Sequence, residues 1–322
     1  MSNIQRIMIV RTDSIGDVML TLPVAYYLKQ MFPKSEILFL GKSYTKDIID
    51  RCLWVNRFVN SDDFQTSSEA EKMMSGLRLD AVVFALPDSF WMRAAHAASV
   101  PVRIATGHRF SSWRWATHRP MFGRKNSDLH ESQLNLKLLS PLGFKVIPTL
   151  NELDQLNLLS FNAPDKKKRL IIHPFSQGSA LNWSLEQYDE LVGLLMNEDW
   201  EIVVSGTVKD QERLTNFAGV HLKSIPSVCG QFNLTAFIDY IAESEMLLAC
   251  STGPLHIAAA VGVKSVGLYV DRRPIHPGRW SPIGLQVFIL QEKDQGQEQI
   301  LIKPSEVATF LKTTMALPTT KL

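Results

Sequence analysis

The sequence predicts an α/β protein built from two doubly wound domains that face each other across a cleft. Three observations carry this prediction. Short apolar runs alternate with longer amphipathic stretches, which is the pattern of strands and helices in a parallel sheet. The alternation is interrupted once, at residues 156–168, and then starts again. The chain has 322 residues, about twice the length of an ordinary domain.

In the first half, Val18, Leu22, Ala25 and Leu28 recur at helical spacing, and Pro33 ends that helix. The interruption holds Asn, Pro, Asp and three consecutive Lys residues, a composition typical of a linker. It separates a predicted N-terminal domain, residues 1–160, from a C-terminal domain, residues 169–322. The strands predicted before it are residues 7–10, 37–40, 81–86 and 102–105.

In the second half, Ser184 is followed three residues later by Gln187, which predicts a capping box at the start of a helix. The buried face of that helix is predicted to hold Tyr188, Leu191, Val192 and Leu195. A last helix is expected to begin at Pro304 and to span about residues 304–316. The predicted strands of this half are residues 170–173, 201–206, 246–250 and 265–270.

Composition excludes several classes of protein. The 34 Lys and Arg residues nearly balance 32 Asp and Glu residues, for a net charge of +2, so bulk charge does not indicate a nucleic-acid partner. No uncharged apolar run reaches about 18 residues, so no membrane-spanning helix is expected. The first residues read as a buried strand rather than a signal peptide. Three scattered cysteines without a CxxC pair indicate a reduced, cytoplasmic protein without disulfides or a zinc site.

The first candidate site is the loop Arg11–Asp17, directly after the first predicted strand. Ligands of doubly wound sheets bind at the carboxyl ends of the strands. Asp17 is then either a helix N-cap or a general base that takes the proton of an attacking sugar hydroxyl. Asp13 is the competing candidate, and we expect it to order the loop. A glycine here also lets the backbone turn tightly. The candidate acceptor contacts of this loop are Thr12, Ser14 and Gly16.

The second candidate site follows predicted strand 246–250. Pro254 suits a first helical turn, and the free amides of that turn, with the helix dipole, form an anion site. The alternative is an ordinary capped helix with a partly buried histidine. Two further loops, after strands 170–173 and 201–206, are expected to complete the site. The candidate contacts of this phosphate site are Ser176, Gly178, Ser205, Gly206, Ser251, Thr252, Gly253, Pro254 and His256.

Several familiar motifs are missing from the sequence. No GxGxxG follows the first strand, which disfavours a dinucleotide-dependent oxidoreductase. No GxxxxGK[ST] loop and no G-x-S-x-G nucleophile elbow occur. No D-x-D triplet supplies the paired carboxylates that would hold a divalent metal on a diphosphate. We therefore expect no cofactor and no metal.

The opening stretch IMIVRTDSIGDVMLTLPVAYYLKQMFP resembles the start of glycosyltransferase family 9, the bacterial heptosyltransferases of lipopolysaccharide core synthesis. Further segments resemble stretches of the same family in the same order along nearly the whole chain. They are Pro101–Arg109, His130–Gly143, Ile171–Tyr188, Ser251–Tyr269 and Trp280–Pro282.

The resemblance implies a GT-B fold of two Rossmann-like domains and an inverting, metal-independent transfer of a heptose from an ADP-linked donor. It also implies that Asp17 is the base and that the last helix crosses back to the N-terminal domain. The sequence departs from the family at two points. Leu181 stands where well-studied members carry lysine, and Ser251-Thr252-Gly253 stands where they carry Asp-x-Gly.

Residues 103–125 form a basic, aromatic segment with six Lys or Arg residues and no acid. One interpretation is an ordinary solvated loop. Another is a site for the anionic, lipid-linked acceptor, because arginine binds phosphates and carboxylates in a bidentate manner. A third is peripheral contact with the anionic, cytoplasmic surface of the inner membrane. The candidate acceptor contacts are Arg103, Arg109, Arg114 and Arg119.

The expected partners are therefore a nucleotide-sugar donor and a lipid-linked acceptor, with no nucleic acid. Two alternative functions stay open at this point. A nucleotide-sugar epimerase can share the two-domain architecture and would act on the donor alone. A non-catalytic nucleotide-sugar-binding protein of envelope assembly would bind the donor without transferring its sugar, and the lysine replaced by Leu181 motivates this second alternative.

Overall fold

The computed structural model of the protein describes residues 4–161, 165–176, 178 and 181–318. The chain divides into two compact units, Met1–Ser160 and Phe161–Leu322. Each unit contains a five-stranded sheet in which all pairings are parallel. The prediction of two doubly wound α/β domains is therefore confirmed.

The N-terminal sheet has its first strand at the centre. Its strands are β1 (Arg6–Val10), β2 (Glu36–Gly41), β3 (Arg57–Asn60), β4 (Ala81–Phe84) and β5 (Val102–Ile104). Their order across the sheet is β3-β2-β1-β4-β5. The winding direction reverses between β1 and β4, and such a switch point is where doubly wound sheets bind ligands, beyond the carboxyl ends of the strands.

The helix predicted from Val18 to Pro33 is interrupted in the structure. A short helix ends at Met19 and a second begins at Leu22, with Pro23 in its first turn. Proline fits there because its missing N–H is not needed in a first turn. The helices of this unit are α1 (Ile15–Met19), α2 (Leu22–Met31), α3 (Lys46–Asp50), α4 (Ser67–Leu77), α5 (Ser89–Ala97), α6 (Phe110–Trp115), α7 (Glu131–Leu136) and α8 (Leu150–Asp154).

The break between α1 and α2 is held by side chains of α7. The carbonyl of Leu20 accepts hydrogen bonds from the Ser132 hydroxyl at 2.8 Å and from the Asn135 amide at 3.2 Å. Both donors are fully buried. The Thr21 hydroxyl donates to the carbonyl of Asp17 at 2.8 Å. Helix α7 therefore fixes the segment that carries Asp17.

The C-terminal sheet also switches its winding direction beside its first strand. Its strands are β6 (Lys167–His173), β7 (Glu201–Val204), β8 (Ser244–Cys250), β9 (Lys264–Asp271) and β10 (Val287–Lys293). Their order is β10-β9-β8-β6-β7, so the switch point lies between β6 and β8. The helices are α9 (Leu185–Leu195), α10 (Val208–Asn216), α11 (His221–Ser224), α12 (Leu234–Ala242), α13 (Gly253–Ala260), α14 (Pro277–Trp280) and α15 (Pro304–Ala316).

Helix α9 begins as predicted. The Ser184 side chain accepts a hydrogen bond from the Gln187 amide, and the Gln187 side chain accepts one from the Ser184 amide, which completes the capping box. The four residues predicted for its buried face are all fully buried. The edge strands β3 and β10 are missing from the prediction. Strand β3 is short and has no continuous apolar run, whereas β10 begins with the apolar run Val287–Leu290, a signal that the sequence analysis missed.

The last helix, α15, belongs to the C-terminal unit, which corrects the expectation that it crosses back to the N-terminal domain. Val307, Leu311 and Met315 pack into the core of the C-terminal unit. The buried Lys264 ammonium at the start of β9 donates to the carbonyls of Met315 and Leu317 at 3.0 and 2.6 Å. The helix itself begins at Pro304 and ends at Ala316, as predicted.

The predicted linker, residues 156–168, is also shorter than expected. Leu158 accepts a hydrogen bond from the amide of Leu53 at 3.0 Å, and Leu159 pairs with Cys52, so both belong to the N-terminal unit. Lys167 and Lys168 already lie in β6. Asn162 and Pro164, on which the prediction partly rested, lie outside the described residues. All three cysteines are buried free thiols.

Candidate active site

The first candidate site lies at the carboxyl end of β1, at the switch point of the N-terminal sheet. Asp17 is the third residue of α1, and its side chain is 18% exposed. Ser14 is the N-cap of this helix, because its side chain accepts from the Asp17 amide. The Ser14 hydroxyl in turn donates to Oδ2 of Asp17 at 2.6 Å. The alternative in which Asp17 caps the helix is therefore wrong, and its carboxylate is available for another role.

Gly16 does not make the turn that we expected of it. It is the second residue of α1, and its φ is not positive. Ser14 is committed to capping and to Asp17, whereas Thr12 is partly exposed in the loop. Of the three candidate acceptor contacts in this loop, Thr12 has the hydroxyl best placed for a ligand.

A buried arginine holds the carboxylate of Asp17. Arg11, the first residue after β1, is 3% exposed, and its Nη2 donates to Oδ1 of Asp17. Its Nε donates to Oδ1 of Asp13 at 2.6 Å. One guanidinium therefore bridges both candidate bases and fixes the spacing of their carboxylates. The planar fork of arginine allows this, whereas a lysine ammonium would not.

A third carboxylate and a second arginine, both from distant parts of the chain, extend this network. Glu131 of α7 is 2% exposed, and its Oε1 lies 3.6 Å from Nη1 of Arg11. Arg124 donates to the same oxygen, to Oδ1 of Asn135 at 2.9 Å and to the carbonyl of Ala85, just after β4, at 3.1 Å. This network spans the carboxyl ends of β1 and β4, the two strands that flank the switch point.

Burial and charge act against each other in this network. Burial lowers the pKa of Arg11, but the carboxylates of Asp17, Asp13 and Glu131 together raise it above its ordinary value. Burial raises the pKa of Asp13, and the Arg11 guanidinium opposes that shift. Arg11 is therefore a permanent cation in the middle of this network.

Three residues of this network were missed by the sequence analysis as site residues. Arg11 was treated only as part of the loop. A basic residue directly after a buried strand is a signal that could have identified it as a site residue. Arg124 was counted among the exposed basic residues. Glu131 appeared only within the stretch that resembles the family, and its approach to Arg11 comes from the tertiary fold.

The predicted acceptor arginines have different surroundings. Arg103 donates from Nε to the carbonyl of Trp115 at 2.7 Å and from Nη1 to the carbonyl of Val100, so it holds its own segment together and is a poor candidate for an acceptor contact. Arg109 is exposed, and its Nη1 lies 3.5 Å from the carbonyl of Pro87, just beyond β4.

The other two predicted acceptor arginines lie on or beside α6. Arg114 is exposed on that helix. The guanidinium carbon of Arg119 lies 4.8 Å from the centre of the Trp113 ring. Of the four predicted arginines, Arg109 is therefore the one at the carboxyl end of β4.

The second candidate site lies at the carboxyl end of β8, at the switch point of the C-terminal sheet. Thr252 is the N-cap of α13, yet its side chain makes no capping hydrogen bond. It is 8% exposed, and its hydroxyl has no partner in the structure. A buried hydroxyl without a partner is costly. Together with the first-turn amides, it is a candidate contact for an anion.

The neighbours of Thr252 are less open to a ligand. The Ser251 hydroxyl is hydrogen-bonded to Tyr269. Gly253 and Pro254 form the first turn of α13, and His256 is buried in the next. The helix start was thus predicted correctly, and Thr252 is its most distinctive polar group.

The loops after β6 and β7 offer fewer side chains for a ligand than expected. The Ser205 hydroxyl lies 3.0 Å from Nδ1 of His173, and burial lowers the pKa of His173 to about 4, so this imidazole is neutral at pH 7. A Cβ at Gly206 would lie 2.8 Å from a ring carbon of Phe175, so this glycine serves close packing and not a ligand.

The loop after β6 is only partly described. Ser176 accepts a hydrogen bond from the amide of Gly178 at 3.3 Å, and Gly178 has a φ of +83°. Gln177 and Ser179 lie outside the described residues. Leu181, at the position of the family's lysine, packs against the core of the C-terminal unit. Its side chain is therefore committed to packing rather than to a ligand.

Metal clusters and membrane-spanning helices are both absent from the part of the chain that the structure describes. Among residues 4–161, 165–176, 178 and 181–318, no group of three His, Cys, Asp or Glu side chains is arranged to hold a metal ion. Within the same ranges, no helix is both long and apolar enough to cross a membrane.

Comparison with known proteins gives a consistent picture. Residues 132–304 match the family described as glycosyltransferase family 9 (heptosyltransferase). A putative glycosyltransferase of Haemophilus influenzae is 23% identical over 299 residues, covering 87% of this chain and 86% of that protein.

Solved structures show the same fold. E. coli ADP-heptose lps heptosyltransferase II superposes with a TM-score of 0.77 at 18% identity, covering 97% of this chain and 98% of that one. E. coli heptosyltransferase WaaC with ADP gives 0.73 at 18% identity, covering 96% and 100%. These likenesses confirm the GT-B fold that the sequence resemblance implied.

Proposed function

The chain belongs to glycosyltransferase family 9, the heptosyltransferase family, and from this premise we propose that it transfers a heptose or a related sugar from an ADP-linked donor to the core of a lipopolysaccharide acceptor. The observation that carries this proposal is the carboxylate of Asp17. It is partly exposed at a sheet switch point and is held there by Arg11 and Ser14. A carboxylate so placed suits a general base for an incoming hydroxyl.

The proposed donor site is the start of α13. The WaaC structure was solved with ADP, and the amides and dipole at a helix N-terminus favour the binding of a phosphate group. The Thr252 hydroxyl is buried and lacks a protein partner, so a phosphate oxygen would satisfy it. Ser176 and Gly178 are the further candidates on the loop after β6.

The proposed reaction is a single displacement with inversion. Asp17 accepts the proton of the acceptor hydroxyl while that oxygen forms a bond to the anomeric carbon. The bond from the anomeric carbon to the diphosphate breaks, and the nucleoside diphosphate leaves with the electron pair. The dipole and amides at the start of α13 stabilise its charge. We propose that no metal takes part, since the sequence has no D-x-D triplet.

Arg109 is the proposed contact for the anionic groups of the acceptor, because it is exposed beside the carboxyl end of β4. Its guanidinium can bind a phosphate or a carboxylate through two hydrogen bonds. We further propose that the protein acts in the cytoplasm. The three cysteines are buried free thiols, as is usual in a reducing compartment.

The function is tested with purified protein, ADP-heptose and a core acceptor that lacks heptose. We expect ADP and the extended acceptor to appear only when both substrates are present. An altered donor sugar in the absence of acceptor would instead identify an epimerase. A donor that raises the melting temperature but is never transferred would identify a binding protein, and either result would contradict the proposal.

Thr252→Val is expected to weaken ADP binding about tenfold, because it removes one hydrogen bond to a charged ligand. The change is nearly isosteric, and the hydroxyl has no protein partner to lose, so thermal stability should not fall. Thr252→Ser keeps the hydroxyl and serves as the control, with affinity close to wild type. Calorimetric titration with ADP measures both. Equal affinity of wild type and Thr252→Val would remove this hydroxyl from the donor site.

A further inference from the structure

The surface around α6 carries three large apolar side chains in contact with solvent. Phe110 is 85% exposed, Trp113 is 59% exposed, and Met121 is 64% exposed. Exposed apolar groups are ordinary when scattered, but a contiguous patch marks a contact surface. The question is therefore whether these three side chains lie together.

The fold brings them to one place. Phe110 and Trp113 are three residues apart on α6 and so share a helix face. The indole N–H of Trp113 donates to the carbonyl of Gly107 at 2.8 Å. A Cβ at Gly107 would collide with the sulfur of Met121, so Met121 covers the same glycine. We call Phe110, Trp113 and Met121 the α6 patch.

Basic side chains surround the α6 patch. Arg119 lies against the Trp113 ring, and Arg114 is exposed on α6 next to Trp113. Helix α5, which packs against α6, adds the exposed Arg93. Residues 103–125 contain no acidic residue, so the segment that carries the patch has only positive charges.

We infer that the α6 patch is a docking surface for an anionic lipid bilayer. Tryptophan and phenylalanine suit the level of the lipid headgroups. Arginines beside them are attracted to acidic headgroups, and each arginine raises partitioning onto the bilayer about fivefold. Charge complementarity therefore favours an acidic lipid surface over a neutral one. The inference goes beyond the proposed reaction and does not depend on it.

Flotation of the full-length protein with vesicles tests the inference. Vesicles of phosphatidylcholine alone are compared with equal mixtures of phosphatidylcholine and phosphatidylglycerol, and neither contains a sugar acceptor. We expect binding to the mixed vesicles that weakens as salt is added, and much weaker binding to the neutral ones. Equal binding to both, or to neither, would overturn the inference.

The variant Phe110→Ser with Arg114→Glu should lower partitioning into the mixed vesicles more than about tenfold, since it removes an apolar anchor and reverses one charge. The matched control is Val220→Ser with Lys223→Glu. Val220 is 71% exposed, and Lys223 is exposed three residues later. The control should bind as wild type does, and melting temperatures should show that both variants are folded. Partitioning of the α6 variant equal to that of the control would overturn the inference.

Discussion

Asp17→Asn is expected to lower the rate of sugar transfer by at least about 100-fold, because the amide cannot accept the proton of the acceptor hydroxyl. Asparagine keeps the size of the side chain and one oxygen for Arg11. ADP affinity should therefore stay close to wild type, since the proposed donor site lies in the other unit of the chain. Transfer rates at saturating donor, together with ADP titrations, measure the two effects separately.

Asp13→Asn is the matched control, because Arg11 also binds this carboxylate, at 2.6 Å. It removes the same charge from the same guanidinium and lies only four residues away. We expect it to retain transfer within about tenfold of wild type. If Asp13→Asn were the variant that lost transfer and Asp17→Asn kept it, the base would be Asp13 and the assignment of Asp17 would be wrong.

Arg11→Met is expected to lower the free energy of unfolding by about 3–5 kcal/mol, since it removes the buried cation that Asp13, Asp17 and Glu131 share. Carboxylates that lose a cation bind protons more readily. The variant should therefore lose more stability at pH 7 than at pH 5, because protonation relieves the uncompensated charge. Urea unfolding at the two pH values measures the difference.

Arg6→Met provides the comparison at the opposite end of β1. Arg6 pairs with Glu36 at 3.0 Å, but the two side chains are 45% and 35% exposed, so its loss should cost no more than about 1 kcal/mol. Arg11→Lys should fall between the two, because one ammonium cannot reproduce the fork that joins Asp13 and Asp17. Equal stability of the Arg11→Met and Arg6→Met variants would show that the buried network is not stabilising.

The local parts of the fold could be predicted from the sequence. The central strands are continuous apolar runs, and the capping box of Ser184 and Gln187 involves residues only three apart. The proline in the first turn of α13 is likewise a local signal for the start of a helix. Patterns of this kind depend on neighbouring residues, so they can be recognised without knowing the fold.

The parts that were missed depend on contacts between distant residues. Arg11 and Glu131 approach each other only because α7 packs behind the break between α1 and α2. Arg103 was predicted to bind the acceptor because of its charge, but its donors bond to backbone carbonyls of its own segment. Charge alone does not show whether a side chain faces a ligand or the protein. A charged group that leaves water must find protein hydrogen-bond partners, and those partners depend on the tertiary fold.

The hydrogen bonds of Lys264 have a consequence for the end of the chain. This ammonium has no exposed surface, and two of its three partners are carbonyls of Met315 and Leu317. A premature stop codon ahead of residue 315 would thus remove more than a helical turn: it would leave a buried positive charge at the amino end of β9 with Glu245 as its one remaining partner among the three. Shortened versions of this protein should be designed with that dependence in mind.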